Sequence, residues 1–443
     1  MTVRLAVAAA TLSAVLCGQT PQTQPPTSPT IKQSPAAQTT PSPVPPPSTS
    51  NEKAPVPVRS MDLNALDRTA DPCTDFYQFA CGNWVKNNPI PSDQARWGRF
   101  NELAEQNNWV LRGILEKAAA EKSSRDATTQ KIGDLYAACM DTGAANKKGI
   151  TPIKPDLDRI AAIKSSQEIM PVVIDLHNRG EATLFRFGSG QDLKDATEVI
   201  AQMFQGGLGL PDREYYLSDQ KRFVEFRDAY DKTIVKMLTL AGWQQPQAED
   251  AAKRILALET KLAQASMDRT EMRDPAKRYH RMTQQEASAL APNLSLTRYF
   301  EGVHTPANSA VNVGQPDFFK AASELINTTP VDDWKAYLTW SVLRRNADFL
   351  SDDFVNANFD LYGKTLRGQA EIQPRWKRCV STVNRQIGEA LGEEYVKVAF
   401  GPEAKQRMDQ LVANLEAALG EDIQSLDWMS AATKQQAEVK LKA

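Results

Sequence analysis

The stretch MDLNALDRTADPCTDFYQFACGNWVKNNPIPSDQARWGRFNEL, residues 61–103, marks where the folded part of this chain begins. Within it, PCTDFYQFACGNW opens on Asp71-Pro72 and is rich in aromatics, whereas residues 1–58 contain none; Phe76 is the first. Cys73 and Cys81 lie in this segment, eight residues apart. On a helix that spacing separates their Cα atoms by about 12 Å, beyond the roughly 7 Å that a disulfide spans. The two are therefore not expected to pair with each other. Each either bonds elsewhere or is a buried free thiol, and neither shows the CxxC spacing of a metal site.

Downstream of this stretch the apolar spacing is mostly three and four, the period of a helix. Phe100, Leu103, Val110, Leu111, Ile114 and Leu115 are read as one face, and Ile132, Leu135, Tyr136 and Cys139 as another. Ile255, Leu258 and Leu262 repeat the pattern, as do Trp334, Tyr337, Leu338 and Val342, after a helix start at Thr329-Pro330 with Asp332 and Asp333. The most regular stripe is Met408, Leu411, Val412, Leu415 and Leu419. Strand-like alternation is scarce; ATLFRF, residues 182–187, is the best candidate, with Gly188 expected to end it. The expected fold is mainly α with one or two small strand pairs. The last segment, SAATKQQAEVKLKA, is made of strong helix formers without a cap, and reads as a helix cut midway.

Upstream lies a different composition. Twelve of the 27 prolines fall between Gly18 and Val58. Such a segment buries too little apolar area to offset its chain entropy, so residues 18–58 are read as a disordered Pro/Thr/Ser-rich tether. Ahead of it, MTVRLAVAAATLSAVLC has one basic residue, Arg4, then an apolar run from Leu5 to Leu16. That run is too short to span a bilayer and fits a signal-peptide core, giving 1–17 as an export signal. Cys17 closes it and is a candidate lipidation site, although Leu16 departs from the small residue that lipoprotein cleavage prefers. The expected location is exported: periplasmic, anchored to the membrane as a lipoprotein, or extracellular. Any membrane contact is assigned to the lipid anchor alone.

The whole chain has 443 residues, 52 Lys+Arg against 54 Asp+Glu, and a net charge of −2. This balance argues against a nucleic-acid partner. No run of eighteen apolar residues exists, which excludes a multi-pass membrane protein. Only three histidines occur, His177, His280 and His304, and no pair has helical spacing. They are read as surface or packing residues. Asp212, Glu214 and Glu259 are read as turn or helix charges, and no Ser/His/Asp or Cys/His set offers nucleophilic catalysis. Four cysteines remain after Cys17, namely Cys73, Cys81, Cys139 and Cys379; in an exported protein they are disulfide candidates with three connectivities.

From residue 60 onward the sequence resembles the neprilysin family of zinc metallopeptidases. The stretch 61–103 is similar to that family's N-terminal signature. The likeness continues through GGLGLPDREYY (206–216), LETKLAQAS (258–266), RDPAKRYHRMT (273–283) and VNVGQPDFF (311–319). It then runs through FDLYGKTLRGQAEIQPRWKRCVSTVN (359–384), ALGEEYVKVAF (390–400) and LDWMSAATKQQAEVKLKA (426–443). Gly206, Gly207 and Gly209 lack GxGxxG spacing and an expected preceding strand, so they read as a tight turn, not a phosphate loop. Arg375 to Arg378 could form a small basic patch; the preferred reading is that this segment packs Trp376 and presents Cys379.

The resemblance implies more. Residues 59–443 would form the family's multi-helix cap domain, stopping before the thermolysin-like zinc lobe. Cys139 would bridge to Cys379, and Cys73 and Cys81 would bond to cysteines near the far C-terminus of the complete enzyme. The family hydrolyses peptide bonds with an HExxH helix, whose histidines bind zinc and whose glutamate is the base, plus a downstream ExxxD. Neither HExxH nor a histidine pair that could form one is present here. Zinc is thus expected in the complete enzyme and not on this chain, which should be inactive alone. By residue match, Arg96 would hold the C-terminal carboxylate of oligopeptide substrates and Phe100 would line the pocket, with core packing as the alternative for Phe100. Both roles need the catalytic lobe as partner. The competing reading is a stand-alone, non-catalytic helical module that binds peptides or a partner.

Overall fold

The computed structural model describes residues 54–59, 61–121 and 123–442. The signal segment with Cys17, and the tether up to residue 53, lie outside them. The first helix, Phe76–Asn87, starts where the Asp75 side chain accepts from Gln78 N (2.8 Å). Cys73 therefore precedes the helix, in a turn where the Asp71 carboxylate accepts from its backbone N–H (3.0 Å). Only Cys81 is helical; both cysteines are unpaired, with Cys73 exposed.

Three longer helices form one of two cores. Arg99–Ala120 buries Trp109, Arg112, Leu115 and Ala118; Ala127–Met140, capped by Asp126, buries Ile132, Gly133 and Tyr136. The backbones meet closely, since a Cβ on Gly133 would stand 2.5 Å from Ala118 O. The third helix, Arg375–Ala399, kinks at Ile387 and buries Trp376, Cys379, Val380, Val383 and Leu391. Trp376 meets Trp109 edge-on at 6.3 Å, and the Arg112 guanidinium lies 4.4 Å from the Trp376 ring centroid, a cation–π contact. Cys139 and Cys379 are bonded, closing a separation of 240 residues. One expectation fails in this core: Phe100 is 89% and Leu103 44% exposed. The helix turns its Trp109–Ala118 face inward, and nothing among the described residues covers the Phe100 end.

The larger core lies between residues 150 and 366. The helices Lys221–Leu240, Gln245–Ala265, Pro316–Thr328 and Val331–Asn346 enclose Tyr230, Trp334, Tyr337 and Trp340. Against them packs one mixed sheet: β1 (Phe185–Gln191), β2 (Val199–Gln205), β3 (Arg281–Met282) and β4 (Val311–Val313). Its order is β1-β2-β4-β3; β1/β2 and β3/β4 are antiparallel and β2/β4 parallel. Leu184 has φ 67°, so extended backbone starts only at Phe185, and β1 continues through Gly188 instead of ending there. The strand predicted as absent before Gly206 is β2, which ends at Gln205. No helix opens directly on the glycines, so the turn reading stands without that argument.

The stripe on the helix Pro402–Ser425 is also not core. Met408, Leu411, Val412, Leu415 and Leu419 are 45–61% exposed, and Ile423 alone in this helix is buried. The helix Ala431–Lys442 packs nearby, with Leu441 Cδ2 3.6 Å from where a Gly420 Cβ would be.

Candidate functional site

The segment 88–98 is fastened to the chain ahead of the third long helix. Ser92 O accepts from Glu371 N (2.9 Å), Ser92 Oγ donates to Glu371 Oε2 (2.7 Å), and Gln369 Nε2 donates to Asp93 O (2.8 Å). Beneath it, Lys377 Nζ sits 2.9 Å from Asp93 Oδ2 and 2.7 Å from Glu105 Oε2. Burial pulls the Lys377 pKa down, but the Glu105 and Asp93 carboxylates outweigh it and raise it above the ordinary value. The ammonium thus stays charged and holds the segment in place.

This fastening sets Arg96 on the rim of a cavity of about 680 Å³. Arg96, Arg367, Arg375, Arg378 and Arg385 line it, with Asp348 the one carboxylate among its lining residues. The Cys139–Cys379 bond forms part of the wall, and a π-helical segment, Phe359–Thr365, supplies Phe359, Tyr362 and Gly363. Arg375 donates to Cys139 O (2.8 Å), Arg378 to Gln373 O (3.1 Å) and Arg367 to Tyr362 O (2.6 Å). Backbone carbonyls fix these three guanidinium groups, and Arg375 also faces the Asp352 carboxylate at 3.8 Å. Burial and the adjacent Arg375 charge push the Arg378 pKa below its ordinary value. Such a cavity is suited to a carboxylate, which a planar guanidinium holds through two parallel hydrogen bonds. Phe100 is not in its wall.

The sequence reading singled out Arg96, set aside Arg375 and Arg378 as a possible basic patch, and missed Arg367 and Arg385. Arg375, Arg378 and Arg385 recur at three and seven on one helix, a single face that the spacing alone could have revealed. Arg367 carries no such signal, because it stands alone at the end of the helical segment that continues from Phe359–Thr365.

Glu259 corrects the reading as a helix charge. It is 1% exposed, and its Oε2 accepts from Tyr216 and Tyr230 hydroxyls, each at 2.7 Å. Trp340 Nε1 donates to Tyr230 (2.6 Å), and Gly209 N and Leu210 N donate to Tyr216 (3.0 and 2.8 Å). Burial pushes the Glu259 pKa from 4.5 up to about 7, against the tyrosine hydrogen bonds and the Arg344 charge. Between pH 4.5 and about 7 the folded form keeps a proton that the unfolded chain releases. Stability therefore falls as pH rises through this window, by about 3 kcal/mol. Glu259→Gln is expected to remove that slope. Denaturant midpoints at the two ends of the window check it; an unchanged slope would show that Glu259 does not carry it.

His177 is a packing residue, its ring nitrogens facing Tyr299 Oη (2.6 Å) and Thr183 O (2.8 Å). His280 donates its backbone N–H to Asn312 Oδ1 (2.7 Å), and His304 sits in a turn with φ 59°. Asp212 remains a turn charge, accepting from Glu214 N (2.9 Å). Among the described residues no three or more His, Cys, Asp or Glu side chains are grouped to hold a metal ion. As grouped, the described residues do not fit a catalytic zinc.

Helical cores, a small mixed sheet and an arginine-lined cavity define a mainly helical protein with a candidate carboxylate site. The profile of Peptidase family M13 matches residues 72–443, and the chain belongs to that family. It is 28% identical to endothelin-converting enzyme 1 of Rattus norvegicus over 401 residues, 88% of this chain and 52% of that protein. It is 30% identical to neprilysin-3 of Drosophila melanogaster over 396 residues, 85% of this chain and 50% of that protein. The inhibitor complex of the Mycobacterium tuberculosis zinc metalloprotease Zmp1 is similar in structure, with TM-score 0.80 and 31% identity, over 86% of this chain and 58% of that one. The chain spans about half the length of the curated relatives it matches.

Proposed function

We propose that these residues form the peptide-receiving part of an exported zinc metalloendopeptidase of oligopeptides, whose zinc ligands and catalytic base belong to a separate lobe. The observation that carries this reading is the arginine-lined cavity at Arg96, in a chain of peptidase family M13. Arg96 is exposed at its rim and makes no ion pair among the described residues, which leaves its guanidinium available to a peptide's C-terminal carboxylate. Phe100, exposed beside it, would pack against the peptide once the lobe closes the pocket. Cys73 and Cys81 would bond to cysteines of that lobe. The exposed stripe from Met408 to Leu419 supports a chain with a large partner surface over a stand-alone module. No helix among the described residues is long and apolar enough to cross a membrane; export rests on residues 1–17, and anchoring on lipidation of Cys17.

The 443-residue chain supplied with zinc is expected to release no product from a quenched oligopeptide. With the lobe present, Arg96→Gln is expected to raise KM for peptides with a free C-terminus by about tenfold to a hundredfold, about 1.4–2.7 kcal/mol, and to leave amidated peptides unaffected. Zinc-dependent cleavage by the chain alone would overturn the separate-lobe reading. Equal effects on free and amidated peptides would remove Arg96 from carboxylate binding.

A further inference from the structure

A second arginine-rich cavity lies behind Tyr362. Tyr362 lines the Arg96 cavity, and its hydroxyl donates to Gly209 O (2.8 Å). The neighbours of Gly209, Leu208 and Leu210, line the second cavity, of about 470 Å³. Its wall carries Arg186, Arg213, Arg269, Arg273, Arg344 and Arg345. Asp212 is the one carboxylate among its lining residues, 3.3 Å from Arg269. Six guanidinium groups against one carboxylate leave a formal local charge of +5, in a chain whose net charge is −2.

Backbone contacts fix these arginines in position without offsetting their charge. Arg213 donates to Ser266 O (2.9 Å), Arg186 to Gln205 O (3.1 Å), and Arg345 to Ala182 O. Fastening a loop to a sheet needs one or two such contacts, not six cations around one hollow. Moreover, the Nε atoms of Arg213 and Arg344 are fully buried and have no hydrogen-bond partner. A wall of guanidinium groups with a formal surplus of this size is matched by an acceptor. The acceptor must carry several negative charges to match the surplus.

We propose that this cavity is an anionic subsite that takes the carboxylate side chains of acidic oligopeptides. The proposal rests on the peptide-receiving role given above. Tyr362 belongs to the first cavity and its hydroxyl partner Gly209 is flanked by two lining residues of the second, so the two cavities are neighbours. Guanidinium groups hold aspartate or glutamate side chains bidentately, while a neutral side chain leaves the positive surplus unmatched. The preference is thus for acidic over neutral peptides of the same length.

The test uses the 443-residue chain and two labelled hexapeptides, one with glutamate at alternate positions and one with glutamine there, read by fluorescence anisotropy. The glutamate peptide is expected to bind about tenfold tighter at low ionic strength, and the advantage to shrink as salt is added. Arg269→Gln combined with Arg273→Gln, both exposed side chains, is expected to abolish the advantage and leave the glutamine peptide's affinity unchanged, with an unaltered thermal melt. Equal binding of the two peptides by the unmodified chain overturns the subsite and leaves the peptide-receiving role standing. An advantage that survives in the double variant and disappears in Arg385→Gln places the preference in the first cavity and also overturns it. If neither peptide binds, the subsite is overturned, while the peptide-receiving role, which needs the catalytic lobe, is judged separately by the Arg96→Gln effect on KM.

Discussion

Replacing Cys139 and Cys379 together by alanine is expected to lower the free energy of unfolding by about 4–5 kcal/mol. The bond joins positions 240 residues apart, so it withdraws a long loop's closure entropy from the unfolded chain. That loop includes the whole larger core between residues 150 and 366, and both of its ends lie in the three-helix core. Cys379 is 1% exposed, so few contacts with solvent change in the folded state and the effect falls mainly on the unfolded one. Guanidinium unfolding with and without reductant measures it. The double variant should match the reduced parent and be indifferent to reductant. Equal midpoints for the oxidised parent and the variant would sink the prediction, as would peptide mapping that pairs Cys139 with another residue.

Gly207→Ala is expected to cost about 3–5 kcal/mol, through two additive causes. Gly207 has φ +79°, where an L side chain is strained by about 1–2 kcal/mol. A Cβ there would also stand 2.7 Å from Leu184 O and 2.7 Å from the Tyr337 hydroxyl. That hydroxyl donates to Gly207 O (2.9 Å) and accepts from Leu184 N (3.2 Å), so displacing it strands buried polar groups. Gly180→Ala is the control: φ is +80° and no atom lies within 4 Å of the added carbon. It should show the conformational cost alone, about 1–2 kcal/mol. Equal midpoint shifts for the two variants would show that the Tyr337 contact contributes nothing.

Local patterns made much of the fold legible. The faces at Ile255, Leu258 and Leu262, and at Trp334, Tyr337, Leu338 and Val342, are buried as the 3.6-residue period requires. Glu259 sits within the same stripe, four residues after Ile255 and three before Leu262, yet its charge hid its burial. Tyr216 and Tyr230, brought from two other helices, and the Arg344 charge make that burial tolerable. Phe100 and the Met408–Leu419 stripe fail the other way. Period assigns an apolar face, but whether a neighbour covers it depends on elements distant in sequence. Short strands were hardest to read: β2, β3 and β4 are held by pairing across the sheet, and β3 and β4 have two and three residues.

By itself the sequence determined the helical class and the family resemblance, because these depend on residue order and local period. The tertiary structure alone decided which arginines gather around Arg96, that six more surround a second hollow, and that Glu259 holds its proton toward neutral pH. The physical reason is that electrostatics and desolvation act through space. A charge's surroundings are set by whichever segments fold against it, and those segments lie up to hundreds of residues away.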